Sequence, residues 1–400
     1  MVKLSILPEP QAHLLSSPAS HHRLDVGIVG GGIAGLWLLN LLSRRGYSAV
    51  LFEREALGCD QTLASQGMIH GGLKYALTGH LTGASEAIAA MPSRWRACLA
   101  GDDEVDLQGV PLLSDNYFLF AGTGARNKLA GFLASRALRG RVDRLERSAW
   151  PAAFEGFDGR VYALNEFVVD TASLIRVLSE PWRDRIVQHR VSGNDTRQTE
   201  HGYRLSSPAG EILVTTLINC AGNGSQQLQS ELGIEDLPTQ QRPVKQVIVH
   251  PRHRTALHAH CITGIASDEP RITITSRDDG DGVVWYLGGH LATTGVDRSD
   301  DDQLAFAQRE LAQCVPWLDW EGARWEVLWV DRAEPATTFG LRPDEASVRS
   351  QGNYIQCFPT KLTLAPDLGD KVLNVLPAPS GSAQPTFATA HPVPVGTTRW

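Results

Sequence analysis

One eleven-residue run, SQGMIHGGLKY from Ser65 to Tyr75, sets three glycines, a histidine and a lysine among Met68, Ile69 and Leu73. A helix disfavours so many glycines, and an exposed turn would not carry so much apolar side chain. The pattern suits backbone laid against a ligand, with His70 and Lys74 delivered to the same place. An imidazole with a reference pKa of about 6.5 can move a proton near neutral pH, and a lysine can hold an anion.

Such residues need a scaffold, and a second glycine-rich run defines one. DVGIVGGGIAGLWLLNLLSRRGYSAVLFERE extends from Asp25 to Glu55. Val26, Ile28 and Val29 read as a buried strand, Gly30, Gly32 and Gly35 follow as G-x-G-x-x-G, and Leu36, Leu38, Leu39, Leu41 and Leu42 continue as a helix. Gly46 ends that helix, and a second strand finishes at Glu53. The first glycine permits a tight turn, the second lets backbone approach a pyrophosphate, and the third brings helix close to strand. At the helix start, Ile33 and Ala34 offer N–H groups and a positive dipole end to phosphates. Glu53 stands 23 residues after Gly30, where a carboxylate accepts hydrogen bonds from a ribose diol, with Arg54 beside it. Strand, glycines, helix, strand and acid in this order predict a dinucleotide site. NAD and FAD present the same ADP half to it.

Composition bounds the rest. Four hundred residues exceed one ordinary core, so two domains are expected. The net charge is −7 and no long basic run occurs, which argues against nucleic acid as a partner and for a small-molecule substrate. No run of about 18 apolar residues is present, so no integral membrane segment is expected. The first residues carry prolines and histidines where a signal peptide would be apolar; they read as a loose leader on a cytoplasmic protein. Six scattered cysteines without a C-x-x-C pair read as reduced thiols.

The fingerprint together with SQGMIHGGLKYAL resembles the FAD-dependent oxidoreductases of the D-amino-acid-oxidase superfamily. The motifs are most similar to those of the flavin-dependent glycerol-3-phosphate dehydrogenases. Three further stretches agree in order. TTLINCAGNGS, with Ala221 and Gly222, is similar to the second glycine turn over FAD. TTFGLRP brings Arg342, and PTKLTLAPDLGDKVLNVL brings Lys361, Leu362 and Thr363 before a helix read as Pro366–Leu376. The resemblance implies FAD as cofactor, with Ser65, Gln66, Gly67 and Met68 along the flavin and the Val191 backbone at the adenine. Two departures stand out. Lys74 occupies the position of the family's usual arginine, keeping charge without the planar fork. Pro359 and Thr360 replace its glycines.

The implied fold is α/β: a Rossmann-type FAD-binding domain with an inserted α+β substrate domain on an antiparallel sheet. The FAD-binding domain is assigned residues 24–80, 166–237 and 336–378. The substrate domain is assigned 81–165 and 238–335, and 1–23 and 379–400 are read as loosely ordered termini. A kinked helix is expected through Pro92, and a basic one over the region of ARNKLAGFLASRALRGR. The implied reaction is oxidation of a small, anionic CH–OH substrate resembling glycerol 3-phosphate or a 2-hydroxyacid, by hydride transfer to flavin N5. Arg342 and Lys74 would hold the anion, and Lys361 would favour negative charge at the flavin N1/O2 edge. His70 is either the base or a flavin partner. Alternatives are an amine or amino-acid oxidase of the same fold, or a flavoprotein of RNA modification or assembly. The electron acceptor stays open between oxygen, a quinone and a carrier protein; a quinone would imply peripheral contact with the inner membrane face. Cys357 is a candidate for covalent flavin attachment. His250 to Cys261, with four histidines, is read as a solvated turn between strands, and no metal is assigned.

Overall fold

The computed structural model describes residues 22–72, 83–122, 142–262, 270–337, 343, 345–387, 392–398 and 400. The expected basic helix after Gly124, Lys74 and Arg342 lie outside the described residues.

The first sheet is centred on strand β1, His22–Val29, so His22 and Arg23 of the expected leader already belong to it. It pairs in parallel with β2, Ala49–Glu53, on one side and with Gly210–Asn219 on the other. Ile186–Gln188 extends the parallel set beyond β2, and Tyr354–Phe358 joins the far half of Gly210–Asn219. Parallel strands covered on both faces are mostly apolar, and β2 and Tyr354–Phe358 are buried at every residue, with Glu53 and Gln356 their polar members. Helix α1, Ile33–Arg44, covers this sheet and is itself buried at every residue but the last. It packs against the helix Ala365–Leu373 and against Thr171–Ser179. Asn40 is polar within that apolar layer, and its groups are satisfied. Its amide donates to the Leu36 and Leu178 carbonyls at 2.8 Å each, and Trp182 Nε1 donates to its Oδ1 at 2.7 Å.

A second sheet, the roof sheet, also has eight strands. Its longest pair, Thr239–His250 with Arg324–Pro335, is antiparallel over twelve residue pairs. The pairing is antiparallel elsewhere too, except that Ala259–Cys261 runs parallel to Tyr117–Gly122. A small third sheet joins Met68–Ile69, Phe167–Val169 and Leu112–Ser114, with Ile69 opposite Phe167. The helix Gly83–Ala100 does contain Pro92. The chain is thus a mixed α/β protein with several sheets.

Two expectations hold only in part, for the same reason: composition conceals where a few apolar anchors land. The tail was expected to be loose, yet Phe387, Val393 and Trp400 are buried. Phe387 N–H donates to the Asp184 carbonyl at 2.8 Å, and Val395 bridges Leu57. The histidine-rich segment is only half a solvated turn. His258 is buried, the His253 ring packs edge-on against Trp285 and Trp320, and His260 lies 4.6 Å from the Tyr117 ring. The last helix ends at Leu373 rather than Leu376.

Candidate cofactor site and active site

The glycine turn shows what each of its residues is for. Gly30 has φ of +106°, and a Cβ there would lie 2.5 Å from the Cys220 carbonyl oxygen. A Cβ on Gly35 would run into the Gly30 carbonyl, so this glycine sets the distance between α1 and β1. Gly32 differs. Its φ of −79° and ψ of −171° suit any residue, and a Cβ would meet only Thr62 Oγ1, at 3.2 Å. Neither backbone nor protein packing requires glycine at that position, which lines a cavity. Close approach of a ligand is the remaining physical reason for it.

Around the turn, Glu53 is 6% exposed and accepts from Gly31 N–H at 2.7 Å and from Glu55 N–H at 2.9 Å. A carboxylate has about four acceptor sites, so capacity for a ribose remains. Thr62 Oγ1 accepts from Ile33 N–H at 3.0 Å. The next N–H groups of the first helical turn have no intrahelical acceptor, as at any helix start.

The cavity measures about 450 Å³, within the range of about 300–1,000 Å³ usual for ligand sites. Glu53 and Arg54 line it at the end of β2, Val191 lines it three residues beyond the strand Ile186–Gln188, and Gly30, Gly32, Ile33, Ala34, Ala221 and Gly222 line its glycine turns. Ser65, Gln66, Gly67, Met68 and His70 line the part beneath the roof sheet, together with Lys361 and Leu362. Two expected contacts are not on the wall. Gly35 serves helix packing, and Thr363, wholly buried, donates its hydroxyl to the His70 carbonyl at 3.1 Å. It therefore holds His70 from behind.

His70 directly follows the short strand Met68–Ile69, and Glu166 directly precedes that strand's partner, so the ladder brings the two residues to the same end. Glu166 is 4% exposed and also lines the cavity. Lys361 is 7% exposed and its Nζ donates to the Pro343 carbonyl at 3.1 Å. Thr360 before it has φ of +59°, the left-handed conformation that glycine would adopt freely. The Thr360 hydroxyl donates to the Glu345 carbonyl at 3.1 Å. Cys357 is buried beside Cys220; burial and then that neighbour push its thiol well up, away from the thiolate that covalent attachment needs.

Several cavity residues were not foreseen. His260 Nδ1 lies 3.0 Å from Thr273 Oγ1, and burial pushes its imidazole down to about 3, so it is neutral near pH 7. Gln66, already named from the sequence, donates through Nε2 to the Tyr286 carbonyl at 2.9 Å and to Thr275 Oγ1 at 3.1 Å. The Tyr286 hydroxyl lies within hydrogen-bond reach of the Ala64 carbonyl and Gln246 Oε1. Arg332 lines the cavity while its Nε donates to the Arg242 carbonyl at 3.1 Å. Only tertiary structure brings these groups together, because Gln246, His260, Thr273 and Arg332 sit on four strands of the roof sheet.

Residues 25–355 match the DAO family of FAD-dependent oxidoreductases. The chain belongs to this family. It is an enzyme that uses FAD, and the open cradle at Gly32 and the buried acid at Glu53 fit that cofactor's ADP half. The chain is 46% identical over 355 residues to the probable FAD-dependent oxidoreductase PA4991 of Pseudomonas aeruginosa, covering 87% of this chain and 89% of that one. The crystal structure of PA4991 superimposes with a TM-score of 0.79, covering 95% of this chain and 98% of that one. More distant structures share the oxidoreductase's fold. Glycine oxidase from Geobacillus kaustophilus has a TM-score of 0.61 at 19% identity, covering 92% of this chain and 97% of that one. L-α-glycerophosphate oxidase from Mycoplasma pneumoniae, with FAD bound, has a TM-score of 0.64 at 14% identity, covering 94% and 99%. These last two carry different substrates in their names.

Proposed function

We propose that the protein oxidises a small anionic substrate at a CH–OH carbon. Bound FAD would supply the hydride acceptor, at N5. The observation that carries this reading is that the cavity continues past the glycine turns to a wall with His70, His260, Arg332 and Lys361. Cationic side chains there suit a carboxylate or phosphate, and His70 suits removal of the hydroxyl proton as hydride leaves. Thr363 fixes the His70 backbone, which limits how far the imidazole can drift from the reacting carbon. Buried Lys361 would favour the developing negative charge at the flavin N1/O2 edge. Lys74 and Arg342 complete the proposed anion clamp. The segments 24–80, 166–237 and 336–378 form the cofactor domain in this reading, and 81–165 with 238–335 form the roof.

A second reading rests on Glu166. A buried carboxylate on the cavity wall suits the ammonium of an amine or amino acid. No helix among the described residues is long and apolar enough to cross a membrane. We place the protein in the cytoplasm, with oxygen, a quinone or a carrier protein as acceptor. Anaerobic bleaching of the visible flavin band by a panel of glycerol 3-phosphate, 2-hydroxyacids and amino acids separates the readings. Bleaching by phosphate or hydroxyacid substrates supports the first. Bleaching by amino acids alone overturns it in favour of the second.

A further inference from the structure

The tail expected to be loose touches the cofactor cavity's framework at two places. At the first, Leu57 N–H donates to the Pro394 carbonyl at 2.8 Å and Gly396 N–H donates to the Leu57 carbonyl at 2.9 Å. Leu57 is wholly buried and fills the space beside Gly31, where a Cβ would lie 2.5 Å from its Cδ2. Gly58 N–H then donates to the Gly31 carbonyl at 2.9 Å. The tail thus pins the loop that carries Gln61 and Thr62 to the glycine turn.

At the second place Trp400, 5% exposed, stacks on Tyr286 with ring centroids 4.7 Å apart and planes 19° from parallel. Arg277 donates to Thr398 Oγ1 at 2.7 Å and lies 5.8 Å from the Trp400 ring centroid. Tyr286 in turn contacts three cavity residues: Ala64 and Gln246 through its hydroxyl, and Gln66 through its carbonyl. The indole N–H of Trp400 is buried without a hydrogen-bond partner among the described residues. The ring is therefore held by its face and not by its donor. The tail's side of these contacts, Pro394, Gly396, Thr398 and Trp400, lies outside residues 25–355, which match the family.

We propose that Trp400 is a positioning residue for the flavin site. It fixes the Tyr286 ring, and Tyr286 sets the wall made by Ala64, Gln66 and Gln246. The Pro394–Gly396 clamp holds the loop that carries Gln61 and Thr62 against the glycine turn in the same way. The buried donor explains why a plain aromatic ring would serve as well: phenylalanine keeps a face and leaves nothing unpaired.

The test uses the full chain, deflavinated and titrated with FAD, with flavin fluorescence and the visible circular dichroism of bound flavin as readouts. Trp400→Ala is expected to weaken FAD binding about tenfold and to alter the flavin dichroism. Trp400→Phe is expected to restore both. Tyr286→Phe keeps the stack, loses the phenol, and is expected to reproduce the dichroism change. Unchanged FAD affinity and dichroism in Trp400→Ala, with only the melting temperature lowered, overturns the proposal. So does a Trp400→Phe variant as impaired as Trp400→Ala. Should Trp400→Ala not fold, an unaltered spectrum in Tyr286→Phe is sufficient to reject it.

Discussion

Replacing Gly32 by alanine isolates cofactor contact from folding. The backbone there has φ of −79° and ψ of −171°, so an L side chain costs no dihedral strain. The added methyl meets only Thr62 Oγ1 at 3.2 Å, an approach that a few tenths of an ångström relieves. Gly32 caps α1 without a side-chain bond, so the change forfeits only glycine's modest capping advantage. Reduced freedom of the unfolded chain offsets that by about 0.4–1 kcal/mol. The apoprotein's stability should therefore shift by no more than about 0.5 kcal/mol. The same methyl projects toward the cavity and holds a pyrophosphate off the helix start. Losing one or two charge-assisted N–H bonds removes about 2–4 kcal/mol of binding. That is a roughly thirty- to nearly thousandfold rise in the FAD dissociation constant. Fluorescence titration of deflavinated protein measures the second quantity, and urea unfolding of the same preparation measures the first. An FAD affinity within about threefold of wild type would falsify the argument that Gly32 exists for the ligand.

Other perturbations read different parts of the molecule. Gly35→Ala drives a methyl into the Gly30 carbonyl and should destabilise even the apoprotein, by about 1–3 kcal/mol, visible in the urea midpoint. His258 is buried and its folded-state pKa lies down at about 4, below the ordinary value near 6.5. The unfolded chain therefore binds the proton first, and stability present above about pH 6.5 is lost as pH falls toward 4. Comparison of urea midpoints at pH 7 and 5 should show about 2 kcal/mol less from this group, and His258→Gln should flatten that slope. Thiol titration of native protein should find Cys59 alone reactive, since the other five cysteines are buried; a second fast thiol would contradict the packing. Arg342→Ala should raise KM for an anionic substrate with little change in kcat if that residue clamps the anion, and an unchanged KM removes it from the role.

The cofactor half was readable because its reasons are local. A tight turn, a close approach and a helix packed on a strand each demand glycine at a fixed spacing. The carboxylate of Glu53 closes the same continuous segment. Gly30, Gly32 and Gly35 were therefore legible from their spacing alone. Beyond that segment, Ser65 to His70 and, through the resemblance, Val191, Ala221, Gly222, Lys361 and Leu362 were read onto the cavity they line.

The rest depended on register across long separations. Glu166 reaches the end of the cavity near His70 because Phe167 pairs with Ile69 in a strand ladder. His260 meets Tyr117 because a three-residue strand runs parallel to Tyr117–Gly122. Neither pairing leaves a periodic trace in so short a stretch. The tail was hidden more thoroughly. Proline, serine, glycine and threonine make up most of its composition, and four apolar anchors, Phe387, Val393, Val395 and Trp400, decide its path. Composition reports what a segment can bury on average. Where Trp400 finds the face of Tyr286 is decided by the folded roof sheet, more than a hundred residues earlier in the chain.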